Sequence, residues 1–256
     1  MPEPRPRTPS FRLDGRRALV TGAGRGIGRA AAFALADAGA AVTLAARSAE
    51  EIEAAAEAIR AEGGEAEALR LDVTDLAAVS EAFAARPAFH AVVNSAGGAR
   101  HAPLMEVTPE DYDAVMALNV RAAFFVAQAA ARRMIEERTT GAILQVSSQM
   151  GHVGGPERSV YCASKHAVEG MTKAMALELA PHGIRVNTLC PTFVETPMTA
   201  PMLARAETRE WVERSIPLGR PGQVEDLMGA VVWLCSDAAA LVTGAPILVD
   251  GGWTAR

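Results

Sequence analysis

The stretch Thr21-Gly22-Ala23-Gly24-Arg25-Gly26-Ile27-Gly28 decides how the rest of the chain is read. It follows Arg17 to Thr21 (RALVT), an apolar run with the character of a buried strand. It precedes an alanine-rich helical run from about Ile27 to Ala38, ended by Gly39. In a strand–loop–helix context, glycines let backbone N–H groups approach a pyrophosphate, and the helix N-terminus adds favourable partial positive charge. A glycine-rich turn alone says little. At the start of an alternating chain it predicts dinucleotide binding through Gly22, Gly24, Arg25, Gly26, Ile27 and Gly28.

Outward from this loop, short apolar runs alternate with helical ones. Ala41 to Ala46, Glu67 to Leu71, Phe89 to Asn94, Ala142 to Ser147, Ile184 to Cys190 and Ile247 to Val249 read as further strands. Ser48-x-x-Glu51 is a capping box that opens a helix ending at Gly63-Gly64. Thr74 or Asp75 starts a helix that stops before Pro87. Thr108-Pro109-Glu110-Asp111 supplies an N-cap, a proline at the first helical position and two acids, for a helix reaching about Glu137. Helices also span Ser159 to Ala180 and Gln223 to Ser236. Strands joined by helical crossovers predict an α/β fold: a single-domain, Rossmann-like, doubly wound parallel sheet of about seven strands with helices on both faces. The domain is expected over 13–256, after a flexible tail at 1–12. Residues 192–222 break the alternation with four prolines, two methionines and a tryptophan, and are expected to form a substrate lid.

Composition bounds the function. The 256 residues are 50% hydrophobic and 21% charged, enough for a sizeable core. A net charge of -5 argues against a nucleic-acid partner. Cys162, Cys190 and Cys235 are odd in number and lack metal-ligand spacing, which predicts a reducing, cytoplasmic setting without disulfides. No apolar run approaches the roughly 18 residues of a membrane span. The five histidines show no close ligand spacing, so no catalytic metal is expected.

Tyr161-Cys-Ala-Ser-Lys165 sets a phenol and an ammonium one helical turn apart on one face. The chain has only two tyrosines and two lysines, so a chance Tyr-x-x-x-Lys has a probability of about 0.02. A phenolate base near neutral pH needs adjacent positive charge, which Lys165 supplies. Ser148 stands at the carboxyl end of the fifth strand, where open α/β sheets bind ligands. Strand alternation sends its neighbour Ser147 to the opposite face. Asn119 lies mid-helix, where asparagine is a mediocre helix former.

The patterns TGxxxGxG and YxxxK resemble the short-chain dehydrogenase/reductase family, over about residues 15 to 253. Asp72-Val73 resembles the family's adenine contact. Asn94-Ser95-Ala96-Gly97 is similar to its NNAG element, with serine in place of the second asparagine. Pro191-Thr192-Phe193-Val194-Glu195-Thr196 resembles its PGxxxT segment beside nicotinamide, with threonine in place of glycine, and Leu248-Val249-Asp250-Gly251-Gly252 also matches. The resemblance implies cofactor contacts from Asp72, Val73, Asn94, Ala96, Gly97, Tyr161, Lys165, Pro191, Val194 and Thr196. It implies Tyr161 as general acid for ketone reduction or base for alcohol oxidation. Lys165 would lower the phenol's pKa and bind the ribose, Ser148 would hold the substrate oxygen, and Asn119 would support the proton relay. It further implies a homotetramer. The wording of YCASKHAVEGMTKAMALELAPHGIRVN is similar to the subgroup holding gluconate 5-dehydrogenases and 3-oxoacyl-carrier-protein reductases.

The second strand ends Ala45-Ala46-Arg47 without the acid that binds a ribose 2′-hydroxyl. Arg47 and Arg25 can meet a 2′-phosphate instead, so NADP(H) is preferred and NAD(H) possible. The substrate is expected to be a small carbonyl or alcohol compound touching Ser148, Tyr161, Arg100 and His152, with His101, Gln149, Met150 and Glu195 nearby. Two other readings stand beside this one: an NAD-dependent polyol or sugar-acid dehydrogenase, and a non-catalytic dinucleotide sensor or scaffold.

Overall fold

The computed structural model describes residues 5–255. The first four residues of the expected tail, and Arg256, lie outside the described residues. Residues 5–12 are exposed. They are tied down at two points: the Ser10 carbonyl accepts from the Ala238 N–H at 3.2 Å, and Arg12 donates to the Asp37 carbonyl at 3.0 Å.

Seven strands form one sheet: β1 (Arg17–Thr21), β2 (Ala41–Ala46), β3 (Ala66–Arg70), β4 (Ala91–Asn94), β5 (Gly141–Val146), β6 (Ile184–Pro191) and β7 (Pro246–Val249). Their order is β3-β2-β1-β4-β5-β6-β7, and every neighbouring pair is parallel. The helices are α1 (Gly26–Asp37), α2 (Ala49–Ala61), α3 (Leu76–Ala84), α4 (Pro109–Met116), α5 (Ala123–Glu136), α6 (Ser159–Leu179), α7 (Ala200–Leu203), α8 (Ala206–Ser215) and α9 (Glu225–Cys235). The architecture is Rossmann-like and doubly wound.

Both faces of the sheet are covered, which is why its strands read as continuous apolar runs. Alternation along β1 shows it. Ala18 and Val20 pack with Leu35, Ile52 and Leu234 of α1, α2 and α9. Leu19 between them packs with Phe83, Val126 and Met175 of α3, α5 and α6. Local signals set the helix starts. Asp75 accepts from the N–H groups of Ala77 and Ala78 at 3.1 Å, and Thr108 accepts from Asp111 at 3.1 Å with Pro109 next to it. The chain leaves β3 and re-enters at β4, on the other side of β1. The carboxyl ends of β1 and β4 therefore flank a crevice, the position where such sheets bind ligands.

Three features differ from the sequence reading. The helix expected from Thr108 to Glu137 is continuous, but Ala117–Ala122 is a π turn that contains Asn119. Pro109–Glu136 is also long and apolar enough to cross a membrane by length and composition alone, with a window of mean hydropathy 1.5. Scattered alanines and valines raise that average without making an unbroken run. Its side chains Val126, Ala130 and Met134 are buried in the core beneath the sheet. Finally, residues 192–222 carry α7 and α8, where no helix was expected. Pro201 sits in the first turn of α7, where a missing N–H breaks no helical bond. Val212 and Ile216 are buried in a cluster with Met150, Cys162, Phe193 and Leu203.

Candidate active site

A cleft of about 560 Å³ opens above the carboxyl ends of the strands. The glycine loop forms its floor. Gly22 has φ +67, and a Cβ there would stand 2.9 Å from the Ala96 nitrogen. A Cβ on Gly28 would stand 2.2 Å from the Gly22 carbonyl oxygen. The close approach of α1 to its own loop thus requires glycine. Helix α1 begins without a side-chain cap and without an acid in its first turn, leaving its first N–H groups free for an anion. Thr21 locks the two strand ends: its hydroxyl donates to Asn94 Oδ1 at 2.9 Å and accepts from the N–H groups of Ser95 and Ala96. The loop, the uncapped helix and the length of the cleft fit a dinucleotide.

One end of the cleft is lined by Arg25, Arg47, Ser48, Glu51, Asp72 and Val73. Arg25 and Arg47 are exposed. The capping box is one-sided. The Glu51 N–H donates to Ser48 Oγ at 3.4 Å, but the Glu51 carboxylate turns to the glycine loop, where a Cβ on Gly24 would come within 2.7 Å of it. Asp72 accepts from the N–H and hydroxyl of Thr74, and these bonds hold its carboxyl below its ordinary value.

Ser148, Tyr161 and Lys165 line the other end, with Ser147, Gln149, Met150 and His101. Helix α6 sets Tyr161 and Lys165 on one face, and Ser148 follows β5. The Lys165 ammonium donates to the Val146 carbonyl at 2.9 Å and lies 5.7 Å from the Tyr161 ring centroid. Burial lowers the Lys165 pKa to about 8, while Cys190 and Glu169 act the other way. Burial pushes the Tyr161 phenol above its ordinary value, against the hydrogen bond with Ser148 and the charge of Arg158. At neutral pH this end therefore presents a cationic lysine beside a protonated phenol, a proton donor. His101 meets Tyr161 edge-on, with ring centroids 5.9 Å apart. Burial and Arg158 push its pKa down, so it is neutral.

Ala96, Gly97 and Thr196 also line the cleft. Asn119 lies behind its wall. Its amide donates to the Gly98 carbonyl and to Ser164 Oγ, and its Oδ1 accepts from the Gly98 N–H at 2.9 Å. A Cβ on Gly97 would stand 3.3 Å from Asn119 Oδ1 and 3.7 Å from Lys165 Nζ, so both groups border that glycine. Asn94 is likewise in the wall, donating to the Ala123 carbonyl at 2.9 Å.

Other expected contacts are placed elsewhere. Arg100 does not line the cleft; it is exposed and pairs with Asp111 at 2.5 Å. Glu195 pairs with Arg209 at 3.0 Å. Pro191 and Val194 are buried and do not line the cleft. His152 turns away, with Nε2 at 3.6 Å from Glu169 Oε1. His152, Glu169 and Cys190 bring one ligand-type atom each within 4.8 Å, a grouping that close sequence spacing could not reveal. Thr192 stands where the family pattern has glycine. Its φ is not positive, so a β-branched residue fits.

Sequence reasoning placed the 192–222 segment over the pocket without singling out Phe193, Met198 and Met202, and did not name Arg158 as a lining residue. The one available signal for Arg158 was its place three residues before Tyr161, on the same helical face. Among so many arginines it did not stand out.

Residues 22–254 match the family model described as enoyl-(acyl carrier protein) reductase. The gluconate 5-dehydrogenase of Gluconobacter oxydans (strain 621H) is 43% identical over 248 residues, covering 95% of this chain and 96% of that protein. The L-xylulose reductase of Bos taurus is 39% identical, over 96% of this chain and 99% of that protein. The crystal structure of a gluconate 5-dehydrogenase from Burkholderia cenocepacia J2315 in complex with NADP and tartrate superposes with a TM-score of 0.92. It is 40% identical and covers 96% of this chain and 98% of that one.

Proposed function

The chain belongs to the short-chain dehydrogenase/reductase family, and from that premise we propose that it is an NADP(H)-dependent oxidoreductase interconverting a carbonyl and a secondary alcohol on a small, polyhydroxylated substrate. The observation that carries this reading is that Ser148, Tyr161 and Lys165 share one cleft with the glycine loop. When bound, the nicotinamide supplies or accepts the hydride. The side chains do the rest. Ser148 orients the substrate oxygen, and Tyr161 gives it a proton during reduction or takes one during oxidation. The Lys165 charge favours the phenolate that remains. Asn119 holds Gly98, and with it the wall against which Lys165 is set. Residues 192–222 serve as a lid over this end, and the active assembly is a homotetramer.

Arg25 and Arg47 support the choice of NADP(H), since neither makes an ion pair among the described residues and a guanidinium fork suits phosphate. One observation favours NAD(H): the Glu51 carboxylate lines the same end and would repel a 2′-phosphate. Titrating the protein with NADPH and NADH at fixed ionic strength decides between them. NADPH is expected to bind tighter by at least about tenfold, and tighter NADH would reverse the assignment. Binding of neither would return the glycine loop to a structural turn. The two relatives are named for an acid and for a neutral sugar, so kinship alone leaves the charge of the substrate open.

A further inference from the structure

Among the described residues, three side chains at the chemical end of the cleft can carry positive charge: Lys165, His101 and Arg158. Lys165 is engaged by the Val146 carbonyl and His101 is neutral. The carboxylates that line the cleft among the described residues, Glu51 and Asp72, both belong to the far end. Arg158 is therefore the available cation beside Tyr161.

Its surroundings leave it unsatisfied. Arg158 makes no ion pair among the described residues. Two of its hydrogen bonds are recorded, to the Pro156 carbonyl at 2.8 Å and to the Met202 thioether at 3.5 Å, a weak acceptor. A guanidinium has five donors. It is half-buried, and burial lowers its pKa, while the charge of the neighbouring Glu157 acts the other way. Two rings fix it: its Cζ lies 5.5 Å from the Phe193 centroid and 5.7 Å from that of Trp211.

The two rings stabilise the guanidinium, but its place on the helix works against it. Arg158 opens α6, the end of a helix at which a cation is least favourable. The residue before it, Glu157, has φ +60, a left-handed conformation that a residue with a Cβ rarely adopts. The Ala102 N–H pins that turn by donating to the Glu157 carbonyl at 3.2 Å. Helix electrostatics and desolvation oppose a guanidinium here, and an anionic ligand would offset both.

We infer that Arg158 binds the carboxylate of an anionic substrate, a small hydroxy- or keto-acid of the aldonate type, whose reacting carbon lies at Ser148 and Tyr161. The inference rests on the oxidoreductase reading above and gives it a substrate class. It gives the arginine contact to Arg158 in place of Arg100, which the sequence named as a substrate residue and which pairs with Asp111 outside the cleft. A carboxylate suits the planar fork, and stacking on Phe193 and Trp211 pre-orders that fork.

The test uses the full chain with NADPH and two carbonyl probes, 5-keto-D-gluconate and the neutral ketose L-xylulose. Wild type is expected to favour the keto-acid in kcat/KM. Arg158→Met keeps an apolar stem against the rings; it should raise the KM for the keto-acid about 100-fold. The neutral ketose should lose much less, and Arg158→Lys should recover part of the loss. Equal losses on both probes, or a wild-type preference for the neutral ketose, would overturn the inference. A calorimetric titration of the NADP⁺-saturated protein with gluconate and with xylitol separates the two readings. Gluconate bound through Arg158 with neither ketone reduced would sink the oxidoreductase reading and leave Arg158 as a carboxylate site. Gluconate held no more tightly than xylitol would remove Arg158 even from an active enzyme.

Discussion

The two ends of the cleft are built on opposite principles. At the glycine-loop end, the groups proposed to meet a ligand are backbone N–H groups and exposed guanidiniums, set by turns and strand ends that are short in sequence. At the Tyr161 end, the groups proposed to react, Ser148, Tyr161 and Lys165, are buried or half-buried side chains brought together from the segment after β5 and from α6. The first end binds through groups whose charges water already solvates. The second holds ionisable groups where burial alone moves their pKa values. Binding strength is therefore expected to be tuned at one end and protonation at the other.

The largest break in this comparison is Tyr161→Phe, which removes a proton donor and no backbone. Turnover should fall by about 10³-fold, in the range of general acid catalysis, while fluorescence titration shows NADPH affinity nearly intact. A variant that still turns over at the wild-type rate would place the proton elsewhere.

Next in size is the cost of burying Lys165. Its pKa falls from 10.5 to about 8 on folding. Below pH 8 both folded and unfolded chains carry the proton. Between there and 10.5 the folded chain has lost it and the unfolded chain has not, so stability rises with pH across that window. The gain is on the order of 3 kcal/mol. Denaturant midpoints for wild type should climb relative to Lys165→Met between pH 8 and pH 10. Parallel curves would mean that the ammonium is solvated.

At the other end, Arg47→Asp should invert the NADPH preference by at least about tenfold, or 1.4 kcal/mol, and the difference should shrink in high salt. A salt-independent difference would deny that this end works by solvated charge. Thr108→Ala sets the floor. It removes a cap that does not line the cleft and should cost about 1 kcal/mol in thermal unfolding without moving either affinity.

Much of this was legible in the chain, for physical reasons that differ by element. Central parallel strands buried on both faces are mostly apolar, and the half-exposed edge strands β3 and β7 are short runs that follow glycines, so all seven were readable to within about two residues. The caps at Ser48, Asp75 and Thr108 also announced themselves, because they are local hydrogen bonds. What was not legible depended on contacts between distant segments. Arg158 becomes distinctive only when Phe193 and Trp211 fold over it. Arg100 looked equally available until Asp111 paired with it. The Glu51 side chain had a local explanation in the capping box, and the structure turned it to Gly24 instead. Prolines suggested an irregular lid at 192–222, yet Pro201 occupies a position where a helix tolerates it.

The π turn at Ala117–Ala122 has a consequence of another kind. A π turn is an α-helix with one residue too many, retained because the surplus position is useful. The stretch from Pro109 to Glu136 is thus two helices of differing phase fused in one rod, offset by about 100° across the bulge. Loss of a single codon inside it would heal the helix and leave its length almost unchanged. It would also rotate Asn119 off Gly98 and slacken the wall beside Lys165. Secondary structure would improve while the site failed. Along this rod, insertions and deletions are constrained by angle rather than by length.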